Sequence, residues 1–295
     1  MKKVLITGKN SYIGTSVEKW LLKEPDKYQV ATLDLMSPDW KSHNFSTYDT
    51  VFHVAGIAHV DTGEISENHK QLYYKINCDL AVETANIAKN AAVKQFIFMS
   101  SIIVYGSSDK IGSDGMINLN TPPNPDGFYG DSKLQAETKL KLLGTDIFKI
   151  VILRPPMIYG KGCKGNYPLL SLIAKKSPIF PLYENQRSML FINNLCEFVK
   201  LIIDNEESGT FFPQNSDYVK THELVKLIAC NSSHKILFLR LFNSIIKFIM
   251  KTDYKFGKLA KKAFDNLTYS KDLSKYKSEY NVVGFEESIR MTEIS

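Results

Sequence analysis

Five short runs rich in valine, isoleucine and phenylalanine, at residues 4–7, 29–35, 51–55, 95–99 and 148–153, show no polar alternation. This restricts the fold more than any other feature. A strand with one face in water alternates apolar and polar residues, so these five are expected to be buried on both faces. Helix-period segments lie between them at about 12–23, 70–90 and 129–143. Helix-length connections between buried strands imply right-handed crossovers and a doubly wound parallel α/β sheet. Ligands in such sheets sit beyond the carboxyl ends of the strands, where Gly8, Asp34, Ala55 and the pair Ser100-Ser101 fall. After Arg154-Pro155-Pro156 the rhythm loosens. Residues 1–156 are therefore expected to form the sheet domain and 157–295 a smaller C-terminal lobe closing over the crevice.

The first strand runs into "TGKNSYIG". Gly8 ends the strand and Gly14 lets the next helix pack closely, while the free N–H groups and dipole at the helix start face an anion. With a strand before and a helix after, the turn reads as a dinucleotide cradle of the Rossmann type. Ser11 stands where a glycine is expected; its Cβ crowds a pyrophosphate, and its hydroxyl offers a donor. Asp34, twenty residues beyond Gly14, is placed to accept from adenosine ribose hydroxyls, which favours NAD. Lys9 inside the turn would pair with a 2′-phosphate, which favours NADP. The choice between them stays open.

A second constellation is "FYGDSK", which sets Tyr129 and Lys133 at i, i+4 on one helix face. A free phenol has a pKa near ~10 and is a poor acid or base at neutral pH. An adjacent ammonium is expected to pull it towards neutrality. In "FIFMSSIIVYG", Ser100 and Ser101 fall at a strand end, where a hydroxyl can bond a substrate oxygen beside the tyrosine.

These segments, with "FHVAG" and "LRPPMIYGKG", follow the order and approximate intervals of the extended short-chain dehydrogenases/reductases, and the chain resembles their NAD-dependent epimerase/dehydratase branch, which modifies nucleotide sugars. The resemblance implies Ser101, Tyr129 and Lys133 as catalytic residues. It implies Gly8, Lys9, Asn10, Ser11, Tyr12, Ile13, Gly14, Asp34, Val54, Ala55, Gly56, Tyr129, Lys133, Pro155 and Pro156 as cofactor-binding, with NAD or NADP bound. Asn77 falls in a helix segment read as structural. In the second lobe it implies Asn166 of "GNYPLL" as a contact to the nucleotide and Arg187 of "QRSMLFINNL" as a grip on the pyrophosphate, alongside Ser101 as a sugar contact. A planar guanidinium bonds phosphate oxygens in pairs. Asn194 stands where relatives usually carry Asp. The resemblance further implies a homodimer through the helices after the fourth and fifth strands.

Three reactions occur in this branch. Dehydratases carry Asp-Glu just before the "VYG", where this chain has Ile102-Ile103, and isoleucines cannot move protons. The segment from Leu35 to Val51 is short and lacks the acid-rich clamp that 4-epimerases place on the adenine. The preferred expectation is reduction of a 4-keto-6-deoxy hexose linked to UDP, for surface polysaccharide synthesis. A UDP-hexose 4-epimerase is the alternative. A catalytically silent dinucleotide-binding scaffold is a third reading, opposed by the presence of Ser101, Tyr129 and Lys133.

Charge narrows the partners. The formal net charge is +6, yet Lys235, Arg240, Lys247, Lys251, Lys255, Lys258, Lys261 and Lys262 stand against one acid, Asp253, in a single stretch. The remainder is close to neutral, which disfavours general nucleic-acid binding. The same stretch reads as a surface helix packed on the core, with weak peripheral membrane association as the other possibility. No apolar run approaches a membrane span and the start lacks a signal peptide's h-region, so a cytoplasmic location is expected. Cys78, Cys163, Cys196 and Cys230 lack metal-site spacing and read as reduced thiols; no metal is expected.

Overall fold

The structure is a computed structural model that describes residues 1–58, 66–108, 111, 114–252 and 255–294. The chain opens with β1 (Lys2–Thr7), α1 (Tyr12–Leu21), β2 (Tyr28–Leu33) and β3 (Thr50–His53). It continues with α2 (Glu67–Tyr74), α3 (Leu80–Asn90), β4 (Gln95–Met99), β5 (Met116–Ile117), α4 (Phe128–Lys141) and β6 (Lys149–Leu153). Beyond Pro156 come β7 (Met157–Tyr159), α5 (Asn166–Lys176), β8 (Ile179–Pro181), β9 (Met189–Phe191), α6 (Ile192–Asp204) and β10 (Gly209–Phe211). Last are α7 (Thr221–Asn231), β11 (Leu237–Leu239), α8 (Asn243–Met250), α9 (Lys255–Phe264), β12 (Thr268–Tyr269) and α10 (Phe285–Glu293).

Six strands form one sheet in the order β10-β6-β4-β3-β1-β2, every pairing parallel. The inner strands β1, β3, β4 and β6 are buried on both faces, whereas the edge strands are not: β2, expected from its sequence to be buried, and β10 are mostly half-buried, because an edge strand has a neighbour on one side only. Val4 and Ile6 of β1, Ile97 and Met99 of β4, and Val151 and Leu153 of β6 enter one apolar cluster. Leu5, Phe96, Phe98, Ile150 and Ile152 enter another on the opposite face. The strand order reverses direction between β1 and β3, so the crevice for a ligand opens at their carboxyl ends.

Two features depart from the sequence reading. The sixth strand, β10, and the helix α6 come from beyond Pro156. They return to the large sheet, where α6 packs on α1 and β10 pairs with β6. The expected separation at residue 156 is thus crossed by the core itself, β10 adding a parallel strand to the β6 edge and α6 packing on α1. The single helix expected at 70–90 is interrupted by a π-helical turn, Lys75–Asp79, between α2 and α3. That turn carries Asn77 inward.

Candidate active site

The glycine turn lies at the switch point. Gly8 adopts φ +92°, and a Cβ there would meet the Ala55 backbone N at 2.8 Å, so only glycine lets the end of β1 lie against Val54 and Ala55 after β3. Asn10 also takes a positive φ of 65°. Ser11 is the N-cap of α1, its Oγ accepting from the Gly14 N–H at 3.1 Å. The serine at the second glycine position therefore orders the helix start. The N–H groups of Tyr12 and Ile13 are left without acceptors among the described residues and sit at the positive end of α1. Ile13 packs on the core, and the Tyr12 side chain turns away from the turn towards Gly160 and Cys163, its hydroxyl buried without a hydrogen-bond partner among the described residues.

Gly8 and Lys9 both donate backbone N–H groups to the Leu33 carbonyl, which brings exposed Lys9 beside exposed Asp34 at the end of β2. Asp34 Oδ1 accepts from the Met36 N–H at 2.9 Å, holding the carboxylate at the rim. A glycine that admits close backbone approach, unpaired N–H groups on a helix dipole and a carboxylate one strand over together fit a dinucleotide.

Ser101 follows β4, where it caps a 3₁₀ turn, Ile102–Tyr105, by accepting from the Ile103 N–H at 3.3 Å. Helix α4 starts against that turn. A Cβ on Gly130 would meet the Ile103 carbonyl O at 2.8 Å, so the glycine in "YGDSK" is what lets Tyr129 reach Ser101. Tyr129 is half-buried, its phenol near Ser101 and its ring 6.2 Å from that of Tyr73. Burial pushes its pKa up to about 12, while the Ser101 hydroxyl pulls the other way without prevailing.

Lys133, one turn on, is buried, donates from Nζ to the Met99 carbonyl at 2.8 Å and lies over the Phe98 ring at 4.6 Å. Burial lowers its pKa to about 8, with Glu137 opposing. In the protein by itself, burial of the phenol outweighs the pull expected from Lys133. The i, i+4 spacing does bring both onto α4, but the ammonium directs its hydrogen bond to the strand end, and desolvation of the phenol dominates.

Residues that sequence reasoning did not assign to the site hold this corner in place. Asn77 is buried, donates to the Ile57 carbonyl at 3.0 Å and to Ser132 Oγ at 3.2 Å, and accepts from the Ile57 N–H at 2.9 Å. It pins the loop of Gly56, whose missing side chain leaves room for Lys133 Nζ. Glu137, one turn beyond Lys133, accepts from Ser100 Oγ and from Arg154 through both carboxylate oxygens, and Arg154 Nη1 donates to the Tyr105 hydroxyl at 2.7 Å. This chain of buried polar groups ties α4, β4 and β6 together directly beneath Ser101. A signal for it exists in the sequence: "YGDSKLQAE" repeats a polar residue every four positions, Tyr129, Lys133 and Glu137, which in a helix makes a buried polar stripe. Pro155 and Pro156 are buried after β6, and the Pro155 carbonyl accepts from the Ile102 N–H at 2.9 Å.

The second-lobe candidates stand apart from that corner. Asn166 is exposed at the first position of α5. Arg187 is half-buried and donates from Nη1 to the Asp265 carbonyl at 2.9 Å, its only side-chain hydrogen bond among the described residues. Burial lowers its pKa to about 10, opposed by the Asp265 carboxylate. A desolvated guanidinium with donors to spare is suited to an anion. Asn194 is wholly internal, bonded to Asn215, Asn281 and Val283. Cys163 packs beside Tyr12, and burial raises its thiol pKa.

Comparison with known proteins identifies the family and the fold. The sequence profile of the NAD dependent epimerase/dehydratase family matches residues 4–212. The UDP-glucose 4-epimerase of Vibrio cholerae is 30% identical over 249 residues, covering 77% of this chain and 75% of that protein. Among solved structures, the UDP-glucuronic acid 4-epimerase of Bacillus cereus in complex with NAD superposes with a TM-score of 0.72 at 15% identity, covering 99% and 97% of the two chains. The dTDP-4-dehydrorhamnose reductase of Bacillus anthracis in complex with NADP gives 0.65 at 22% identity, covering 81% and 84%. The two structures share the fold.

Proposed function

The chain belongs to the NAD dependent epimerase/dehydratase family, and we propose that within it the protein reduces the C4 ketone of a UDP-linked 4-keto-6-deoxy hexose. The observation that carries this reading is the segment between β2 and β3, which forms two short 3₁₀ turns, Trp40–Ser42 and Phe45–Thr47, where a 4-epimerase is expected to place an acid-rich strand on the adenine. The Tyr129 phenol, kept protonated by burial, is the donor to the developing C4 alkoxide.

The residues for the cofactor are Gly8 and the N–H groups of Tyr12 and Ile13 for the pyrophosphate, Asp34 and Lys9 at the adenosine end, and Ala55, Gly56 and Pro155 along the crevice. When bound, a reduced nicotinamide supplies the hydride. Ser101 bonds the same C4 oxygen and orients the ketone. Tyr129 gives up its proton as charge builds on that oxygen. Lys133, fixed by the Met99 carbonyl, holds positive charge beneath the site and stabilises the tyrosinate that results. Arg187 bonds the diphosphate with the N–H groups not used by Asp265, and Asn166 lies at the nucleotide end.

A second reading is supported by the Vibrio cholerae relative, a UDP-glucose 4-epimerase: interconversion of UDP-hexoses at C4. One assay separates the two. Incubating the protein with a UDP-4-keto-6-deoxy hexose and NADH or NADPH should consume one reduced nicotinamide per sugar. Conversion of a UDP-hexose to its C4 epimer with no net change in nicotinamide, and no ketone reduction, would overturn the reductase reading.

A further inference from the structure

The stretch from β11 through α8 leaves its apolar side uncovered. Leu237, Leu241, Ile245 and Phe248 are 60%, 65%, 54% and 72% exposed, while on α8 only Ile246 is buried. A 3₁₀ turn, Arg240–Phe242, leads directly into α8, so Leu241, Ile245 and Phe248 fall at i, i+4 and i+7 and form one stripe. The half-buried Phe242 and Ile249 lie with Ile246 on the other side, towards the protein. Arg240, Lys247 and Lys251 are exposed about a third of a turn from the stripe, at roughly 100° per residue. Exposed Lys235 and Lys262 lie before and after, and none of these five bases enters an ion pair among the described residues. The one acid of the stretch, Asp253, lies outside the described residues.

We propose that this face is a docking surface for an anionic lipid bilayer. An exposed apolar stripe edged by a row of bases matches a headgroup layer: the leucine, isoleucine and phenylalanine side chains enter the acyl boundary while the bases stay among the phosphates. A second copy of this chain would bring the same bases against each other, which makes it the poorer occupant. No helix among the described residues is long and apolar enough to cross a membrane, so attachment is peripheral. Helix α8 packs on α9, whose end leads to Arg187. The Ala263 carbonyl at the end of α9 accepts from Asn185 and Thr221, and the next carbonyl but one, Asp265, accepts from Arg187.

The test is co-sedimentation of the full chain with phosphatidylcholine vesicles, with or without phosphatidylserine, at low and high salt. Binding is expected only with the anionic vesicles, and should weaken steeply with salt. Leu241→Ser/Phe248→Ser and, separately, Lys247→Glu/Lys251→Glu should each weaken it roughly ten-fold or more while leaving dinucleotide binding intact. Equal pelleting with neutral and anionic vesicles, or none with either, overturns the proposal. So does a Leu241→Ser/Phe248→Ser variant that changes only the sedimentation-velocity mass, which would make the face a contact between copies.

Discussion

Lys133 on α4 is 6% exposed and Phe248 on α8 is 72% exposed, the reverse of what their chemistry prefers in isolation. In the first region, a buried glutamate holds a buried arginine and serine, and a buried lysine one turn away donates to the Met99 carbonyl at the end of β4. In the second, apolar side chains face outward between bases that have no ion pairs among the described residues. Burying charge costs several kcal/mol per ion unless partners are supplied, and exposing apolar area forgoes ~25 cal/mol per Å². The sheet end offsets its cost with fixed partners, which is what preorganisation for proton transfer requires. The α8 segment offsets its cost only if something covers it.

The largest test of this contrast is at Tyr129. Tyr129→Phe should lower kcat about 10²- to 10⁴-fold while dinucleotide affinity, measured by calorimetry, stays within a small factor. A loss confined to KM would show that the phenol binds and does not donate.

Beneath it, Arg154→Met should destabilise the protein by about 3–5 kcal/mol in urea unfolding, because Glu137 is left buried and unpaired. Adding Glu137→Leu should recover part of that loss. A single-variant cost near that of a surface pair would mean that water reaches the network.

His53 gives a pH-dependent version of the same test. It is fully buried, hydrogen-bonded at Nδ1 to Thr7 Oγ1, and burial lowers its pKa from 6.5 to about 3. Between those values the unfolded chain binds the proton and the folded protein does not. Stability from this group is therefore full above pH 6.5 and is lost as pH falls towards 3. Unfolding free energy at pH 4.5 should lie about 2–3 kcal/mol below its pH 7 value on account of His53, and His53→Phe should flatten that slope.

The smallest effect belongs to the other region. Phe248→Ser should change the unfolding free energy by no more than about 0.5 kcal/mol, since an exposed ring packs on little. A cost of core size would mean that α8 is covered in solution even without a membrane.

Much of the site is legible in the sequence because its parts are local. The turn from Gly8 to Gly14 is set by a strand end and a helix start a few residues apart, and the spacing of Tyr129 and Lys133 is a property of one helix. The carboxyl-end positions of Asp34, Ala55 and Ser101 follow from which runs are strands. The direction of the Tyr129 pKa runs against the sequence expectation because it depends on how much water the assembled crevice excludes, which no spacing records. Which partners Asn77 and Glu137 find is equally out of reach of the sequence, since they lie on other elements.

The unalternating apolar runs and the helix-length gaps between them determined a parallel sheet by themselves, because buried strands joined by helix-length crossovers pair in parallel. Only the tertiary structure decided that β10 and α6 return from beyond Pro156 to complete that sheet. It alone decided that Lys133 donates to the Met99 carbonyl, and that the apolar side of α8 is left facing out. Each of these depends on which surface meets which across long separations in the chain, and a periodic pattern records that a face is apolar without recording what covers it.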